Sequence, residues 1–235
     1  MRFGVVIFPG SNCEQDVIRA TRYLGFESEY IWHGDTDLSG FDAIVLPGGF
    51  SYGDYIRTGA VARFSPVMAE VVRFAEAGGP VLGICNGFQI LTEAHLLPGA
   101  MLRNRGLKFI CKPVTLRVED SVCQWVDPPV GSLATIPINH NEGNFVCDAE
   151  TLSALNANRQ VVLRYVESDG STAPGGSAPN GALDDIAGIC NERGNVFGLM
   201  PHPEHAVDPL LGSADGALLL ASLVDAARER ALSVV

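Results

Sequence analysis

Short, uninterrupted apolar runs that end in glycine are the feature that most constrains the fold of this 235-residue chain. The run Phe3 to Phe8 is followed by Pro-Gly, and the run Asp42 to Leu46 is followed by Pro-Gly-Gly. Runs without polar alternation are typical of parallel strands that helices cover on both faces. The sequence therefore predicts an α/β fold with a mostly parallel central sheet.

The other periodic segments extend this prediction along the chain. The predicted strands are Phe3 to Phe8, Glu29 to Trp32, Asp42 to Leu46, Pro80 to Cys85, Lys108 to Val118, Val161 to Val166, Ile186 to Cys190 and Val196 to Met200. The predicted helices are Glu14 to Leu24, Val61 to Ala77, Gly87 to Leu97 and Ala214 to Arg230. From Lys108 onward the strands are longer and less punctuated by glycine, which favours antiparallel pairing at a sheet edge. We expect one three-layer domain, with helices on both faces of the sheet, because the length suits a single α/β domain.

The stretch from Ser168 to Ala182 is low in complexity and rich in Gly, Ser and Pro. A domain linker would have this composition, but the residues beyond it suffice for only two strands and one helix. The stretch is therefore predicted to be a mobile surface loop.

Charge and composition exclude several classes of partner. Sixteen Lys and Arg against 27 Asp and Glu give a net charge of −11, and no segment gathers the positive residues. Nucleic acid is therefore not an expected partner. The first apolar run ends at Pro9, too early for a secretory signal, so we expect a cytoplasmic protein without a membrane partner.

Cys85 is the strongest candidate for a reactive residue. The six cysteines form no Cys-x-x-Cys pair, but Cys85 stands in Gly-Ile-Cys-Asn-Gly, where a strand gives way to a helix. This pattern has the form of a nucleophile elbow, in which small flanking residues allow a tight turn that presents one side chain. A helix N-terminus also favours thiolate over thiol. The alternative is that Cys85 simply packs in the core, as most free cysteines do.

His202 is the candidate base, because Met-Pro-His-Pro-Glu places Glu204 two residues after it. Prolines favour an extended backbone before them, and residues two apart in an extended chain point to the same side. Glu204 would then orient the imidazole. A surface turn is the alternative. A metal site through His202, Glu204 and His205 is not predicted, because the spacing fits no common site and no fourth ligand suggests itself.

A glycine-rich loop can supply the third requirement, donors for a developing negative charge. Gly48, Gly49 and Phe50 follow a parallel strand and so lie at the same sheet edge as the elbow. Their backbone amides, with that of Asn86, are the candidate oxyanion hole. A phosphate-binding loop is the alternative, but its Gly-Lys-Ser/Thr ending is missing.

These segments resemble the class I, or triad, glutamine amidotransferases, and more closely the glutaminase subunits of phosphoribosylformylglycinamidine synthases. The matching segments are Phe8 to Glu14, Pro47 to Asp54, Gly83 to Gln89 and Gly198 to Glu204. The resemblance spans nearly the whole chain in order. It implies one flavodoxin-like type 1 glutamine amidotransferase domain over residues 1–235, with Cys85, His202 and Glu204 as its catalytic triad.

The resemblance also implies an activity and partners. Such a subunit hydrolyses L-glutamine to glutamate through a glutamyl thioester and supplies ammonia to a large synthetase subunit. That subunit, with a small accessory subunit, carries out the ATP-dependent amidation of formylglycinamide ribonucleotide in purine biosynthesis. ATP and Mg²⁺ would belong to the partner, and this chain would hold no cofactor. Gln89 and His140 would help to bind glutamine.

Two segments depart from the family pattern, Pro137 to Gly143 and Ala178 to Ala182. Both are expected away from the triad, so they bear on substrate contacts and not on the chemistry. Three alternatives stay open at this point. They are a DJ-1-like or peptidase-like cysteine protein, a catalytically silent interaction subunit, and a glutaminase that serves a different synthetase.

Overall fold

A computed structural model describes residues 2–126 and 128–223 and has the expected α/β architecture. The strands are β1 Arg2–Ile7, β2 Glu27–Trp32, β3 Ala43–Leu46, β4 Val81–Ile84, β5 Ala100–Leu102, β6 Ile110–Val118, β7 Leu133–His140, β8 Asn144–Val146, β9 Val161–Val166, β10 Ile186–Cys190 and β11 Val196–Leu199. The helices are α1 Glu14–Tyr23, α2 Pro66–Glu76, α3 Asn86–Glu93 and α4 Ala149–Ala157. Helical residues 215–223 follow. None of the helices in these ranges is long and apolar enough to cross a membrane.

The central sheet is mixed, with the strand order β2-β1-β3-β4-β11-β10-β9-β6-β7. Pairs from β2 to β11 are parallel, and pairs from β11 to β7 are antiparallel. The crossover from β1 through α1 to β2 runs in the opposite direction to that from β3 through α2 to β4. Because such crossovers are right-handed, α1 and α2 cover opposite faces. The predicted sheet with helices on both faces and an antiparallel edge is confirmed.

The parallel half of the sheet explains the uninterrupted apolar runs. Every residue of β3, β4 and β11 is buried. A strand that is covered on both sides buries the side chains of both its faces. Full burial of one aliphatic side chain contributes about 1.5–3 kcal/mol to the stability of the fold. This core fixes the carboxyl ends of β3, β4 and β11 side by side.

Two predicted helices differ from the observed ones at their ends. The helix expected over Gly87 to Leu97 is observed as α3, Asn86–Glu93. The helix expected over Val61 to Ala77 begins at Pro66, and Ala62–Phe64 is a separate 3₁₀ turn. Ser65 between them is extended, with ψ 143°, because a residue before proline avoids the α-helical region. The final helix, expected over Ala214 to Arg230, is observed through residue 223, and its remainder lies outside the described residues.

Strand β7 is the main element that the sequence prediction lacked. It pairs with β6, so β7 forms the edge and β6 lies one strand inside it. Alternate residues Ile136, Ile138 and His140 are buried, as in a half-covered strand. Pro137 breaks the appearance of a strand in the sequence, and it is tolerated because β7 has a free side. Helix α4 and the small β5-β8 pair were also not predicted.

The segment Ser168 to Ala182 is not a free surface loop along its whole length. Asn180 is completely buried, and its side-chain amide donates to Gly143 O at 2.8 Å and to the Tyr165 hydroxyl at 3.2 Å. Its carbonyl oxygen accepts from the Ala182 amide. One asparagine thus fastens the end of the segment to the β7-β8 turn, which composition alone does not show.

Candidate active site

Cys85 stands between β4 and α3 in the predicted elbow. Its backbone has φ 50° and ψ −102°, a conformation that costs free energy for a residue with a side chain. The glycines around it allow this turn. A Cβ atom at Gly87 would clash with the backbone of Leu46, and one at Gly83 would lie 2.7 Å from the Gly87 carbonyl carbon. The elbow geometry is therefore confirmed, and Cys85 lines a small cleft at the sheet edge.

The sheet brings His202 to the elbow. Strand β11 lies parallel beside β4, and the Cys85 amide donates to Leu199 O at 2.8 Å. The chain therefore leaves β11 next to the elbow, and the His202 amide is held by Pro137 O of β7 at 2.8 Å. His202 lines the same cleft as Cys85.

Glu204 contacts His202 as expected, but for a different geometric reason. The distance from His202 Nδ1 to Glu204 Oε1 is 2.7 Å, and the two residues are 1% and 3% exposed. The backbone is not extended through both residues, since Pro203–His205 forms a 3₁₀ turn. The Glu204 carboxylate therefore reaches the imidazole because the chain turns after His202, and not because alternate residues of an extended strand point to the same side.

Opposing effects act on the His202 imidazole. Burial lowers its pKa, but the negative charges of Glu204 and then of Cys85 raise it, and the net pKa is well above the ordinary value. Nε2 of His202 has no hydrogen-bond partner within the described residues. The Cys85 sulfur contacts Asn139 O at 3.8 Å. The arrangement can hold a charged imidazole beside the Cys85 sulfur and leave one ring nitrogen available for proton transfer.

The candidate oxyanion hole is smaller than the sequence suggested. The Phe50 amide donates to Gly10 O at 2.9 Å, so this amide is not available to a ligand, although Phe50 lines the cleft. Gly48 packs behind the cleft, where a Cβ atom would lie 2.7 Å from His202 Cε1. The amide of Gly49 has no partner in the described part of the chain. Asn86 begins α3, so its amide has no intrahelical acceptor.

Asn86 and Gln89 join the cleft walls through a chain of hydrogen bonds. Asn86 Oδ1 accepts from the Ser51 amide at 3.1 Å, and Asn86 Nδ2 donates to Gln89 Oε1 at 2.8 Å. Gln89 Nε2 donates in turn to Glu142 O at 2.6 Å. Gln89 lines the cleft, but its amide is already used to fix the 139–143 segment to the elbow.

His140 is a buried, neutral wall of the cleft. Its Nδ1 lies 3.1 Å from Asn104 Oδ1, which also accepts from the Gly143 amide. Burial and then the charge of His202 lower the pKa of His140 to about 4. The Pro137 to Gly143 segment, expected away from the triad, thus borders it. The reason is that β7 is the edge strand that packs against the turn after β11.

Three residues of the site were missed in the sequence. Asp54 and Glu142 line the cleft, and one oxygen of Asp54 is buried without a partner. Burial and then the charge of Glu142 raise the pKa of Asp54 to about 6. Cys13 also lines the cleft; burial raises its pKa, but the imidazoles of His202 and His205 lower it below the ordinary value overall. Cys13 lies in the segment Phe8 to Glu14, and Asp54 lies in the segment Pro47 to Asp54. The resemblance of these two segments to the family was the one signal that could have identified both residues.

Comparisons with known proteins show the family of this chain. A model of the CobB/CobQ-like glutamine amidotransferase domain matches residues 1–215. The phosphoribosylformylglycinamidine synthase subunit PurQ of Moorella thermoacetica is 54% identical over 227 residues, which cover 96% of each chain. The same subunit of Thermomicrobium roseum is 55% identical over 235 residues and 99% of each chain.

Solved structures give the same picture. A chain in the structure of PurLQS from Thermotoga maritima superimposes with a TM-score of 0.84 at 44% identity, covering 95% of this chain and 97% of that one. A putative GMP synthase subunit from Thermoplasma acidophilum superimposes with a TM-score of 0.64 at 15% identity, covering 100% and 98%. The second similarity concerns the fold alone.

Proposed function

The chain belongs to the family of CobB/CobQ-like glutamine amidotransferase domains, and from this we propose that it is the glutaminase subunit of a phosphoribosylformylglycinamidine synthase. It hydrolyses L-glutamine to glutamate and supplies ammonia for the conversion of formylglycinamide ribonucleotide to formylglycinamidine ribonucleotide. We assign residues 1–235 to one type 1 amidotransferase domain.

One observation carries the mechanism. A buried imidazole stands with one nitrogen on a buried carboxylate and the other unbonded, beside a cysteine on a strained elbow. A core cysteine or a surface turn needs none of these features. The arrangement is that of a nucleophile with its base and an orienting third group.

In the proposed reaction the Cys85 thiolate attacks the side-chain amide carbon of glutamine. The amides of Gly49 and Asn86 stabilise the oxyanion, and His202 gives a proton to the departing ammonia. This leaves a glutamyl thioester on Cys85. His202 then takes a proton from water as the water attacks the thioester carbon, and returns it to the Cys85 sulfur as the carbon–sulfur bond breaks, which releases glutamate. Glu204 holds the imidazole and stabilises its charged form.

The acidic pair Asp54 and Glu142 gives the cleft a preference for an amino acid. Both residues line a small space, where burial and the charge of Glu142 raise the pKa of Asp54. The α-ammonium group of glutamine placed between them relieves this repulsion. His140 and Gln89 form the neighbouring wall, and we assign them to positioning the substrate.

The second half of the reaction lies in partner chains. We propose that a large synthetase subunit, with a small accessory subunit, receives the ammonia and holds ATP and Mg²⁺, while this chain holds no cofactor. The proposal rests on the similarity to a chain of the PurLQS structure. The assembled enzyme is placed in the cytoplasm, where glutamine and ATP are available.

The test is Cys85→Ala in the reconstituted synthase, assayed with glutamine and with ammonium chloride as alternative nitrogen sources. Glutamine-dependent synthesis is expected to be abolished and ammonia-dependent synthesis to be retained. The matched control is Cys111→Ser, which changes an exposed free cysteine and should alter neither rate. Loss of both activities, or of neither, would reject the assignment, and retained glutamine use would favour a silent interaction subunit.

A further inference from the structure

Four side chains around the triad offer one donor atom each within a very small volume. They are Cys13, His202, Glu204 and His205, and the four atoms all lie within 4.8 Å of one another. We propose that this cluster is a binding site for a thiophilic divalent cation such as Zn²⁺. The sequence offered three of these ligands without a fourth, and the fold supplies the missing one from the start of α1.

The backbone holds the four residues in place without a metal. The Cys13 amide donates to Gly48 O at 3.2 Å, and helix α1 packs against the 3₁₀ turn that carries Glu204 and His205. The imidazoles of His202 and His205 are stacked, with centroids 4.9 Å apart and planes 5° apart. Both rings are carried by the same 3₁₀ turn and the residue before it, so the fold itself holds both imidazoles at the cluster.

The donor set selects the class of cation. One sulfur, two imidazole nitrogens and a carboxylate are ligands that Zn²⁺ accepts in tetrahedral sites, whereas Ca²⁺ and Mg²⁺ require oxygen atoms. Glu204 is 3% exposed, and its Oε2 has no hydrogen-bond partner among the described residues. Asp16, 3.3 Å from His205 Nε2, adds a further negative charge at the edge of the cluster. A bound cation would satisfy the buried carboxylate oxygen.

Occupation of this site has a functional consequence that rests on the function proposed above. His202 and Glu204 would be shared between the cation and the triad, so a bound cation prevents His202 from transferring protons. The cation is therefore an inhibitor of the glutaminase step. It should not affect synthesis from ammonia, which does not need the triad.

The first experiment measures binding alone. The full-length protein is titrated with Zn²⁺ in competition with a chromophoric chelator, and with Co²⁺ to observe a thiolate-to-cobalt charge-transfer band. One equivalent is expected to bind, and Cys13→Ser and His205→Gln should each weaken binding by at least about 100-fold, since even outer-shell changes cost 10–100-fold. Cys111→Ser is the control for non-specific thiol binding and should bind as the wild type does.

Cys85→Ala distinguishes this site from a simpler pair of Cys85 and His202. Binding that persists in Cys85→Ala supports the proposal. Binding that persists in Cys13→Ser but is lost in Cys85→Ala overturns it, as does the absence of binding to the wild type. Thermal unfolding of each variant, followed by circular dichroism, confirms that the comparison is made between folded proteins.

The second experiment separates this inference from the proposed function. In the reconstituted synthase, Zn²⁺ should inhibit glutamine-dependent synthesis and spare ammonia-dependent synthesis, and a chelator should restore the rate. If Zn²⁺ neither binds nor inhibits while Cys85→Ala abolishes glutamine use, the cation site is wrong and the glutaminase stands. If Zn²⁺ binds through Cys13 while Cys85→Ala leaves glutamine use intact, the site stands and the glutaminase is wrong.

Discussion

Replacing Glu204 with glutamine tests the electrostatic basis of the triad, because it keeps the shape of the side chain and removes its charge. Glu204 Oε1 lies 2.7 Å from His202 Nδ1, and both side chains are buried. Two unit charges at that distance interact by about 6 kcal/mol at an effective dielectric constant of about 20. This corresponds to roughly four orders of magnitude in rate, at 1.36 kcal/mol per decade.

The tautomer of the His202 imidazole leads to the same magnitude. The amide of glutamine can donate a hydrogen bond to Nδ1, which would place the imidazole proton on Nε2 and leave that nitrogen unable to act as a base. The corresponding change in a serine protease lowers kcat by about 10⁴. We therefore expect Glu204→Gln to lower glutamine-dependent turnover by about 10³- to 10⁴-fold.

The assay is the reconstituted synthase with glutamine and, separately, with ammonium chloride. Ammonia-dependent synthesis should remain at the wild-type rate, and circular dichroism should show a folded protein. Glu150→Gln, on an exposed position near the start of α4, is the matched control and should change neither rate. A folded Glu204→Gln variant that turns over glutamine within tenfold of the wild type would refute the reasoning.

Three further predictions concern the elbow, the substrate cleft and its buried wall. Gly87→Ala places a methyl group against the Leu46 carbonyl and should lower the free energy of unfolding in urea by about 3 kcal/mol or more. Gly106→Ala is the control, because its methyl group meets open space, and it should not destabilise the fold. Equal stabilities of the two variants would contradict the requirement for glycine at position 87. Since the pKa of Asp54 is about 6, its carboxylate is neutralised as the pH falls through that value, so KM for glutamine should rise below pH 6 in the wild type. Asp54→Asn should raise KM at pH 8 and remove this pH dependence, and a wild-type KM independent of pH would disprove the contact. Burial lowers the pKa of His140 from 6.5 to about 4, so His140 of the unfolded chain is protonated first as the pH falls. The free energy of unfolding of the wild type should therefore fall by about 3 kcal/mol between pH 6.5 and 4, relative to that of His140→Asn. Parallel curves of unfolding free energy against pH for these two proteins would show that His140 is not buried in its neutral form.

The strained elbow and the parallel strands form one functional unit. The conformation of Cys85, at φ 50°, persists because β3, β4 and β11 are buried on every residue and hold the turn from both sides. A rigid core can sustain local strain that a surface loop would relax. Cys85 is therefore held in one position before any ligand binds, and the cleft around it is built from loops that this edge of the sheet anchors.

Local patterns in the sequence were sufficient for the parallel half of the sheet and for the elbow. Uninterrupted apolar runs identify strands that are covered on both faces, whatever their partners are. Glycine on both sides of Cys85 identifies a turn that no larger residue allows. Each of these inferences depends on interactions within a few residues of the chain, so the sequence alone could support them.

The contact of His202 with Glu204 was predicted, but from a backbone geometry that the structure does not have. The two residues are close in sequence, so many backbone conformations bring them together. An extended chain was expected, and a 3₁₀ turn is observed. The proximity was predictable, but the geometry depended on the packing of this turn against α1 and β7.

Tertiary structure alone decided which polar groups remain available for chemistry. The Phe50 amide donates to Gly10 O and is therefore not available to a ligand. Asn180 binds the end of a segment that has the composition of a free loop to Gly143. Cys13 lies beside His202, Glu204 and His205, which come from the other end of the chain. A hydrogen-bond donor is free or occupied only with respect to a partner, and these partners are distant in sequence. The sequence thus determined the scaffold and the candidate reactive groups, while long-range pairing determined their surroundings.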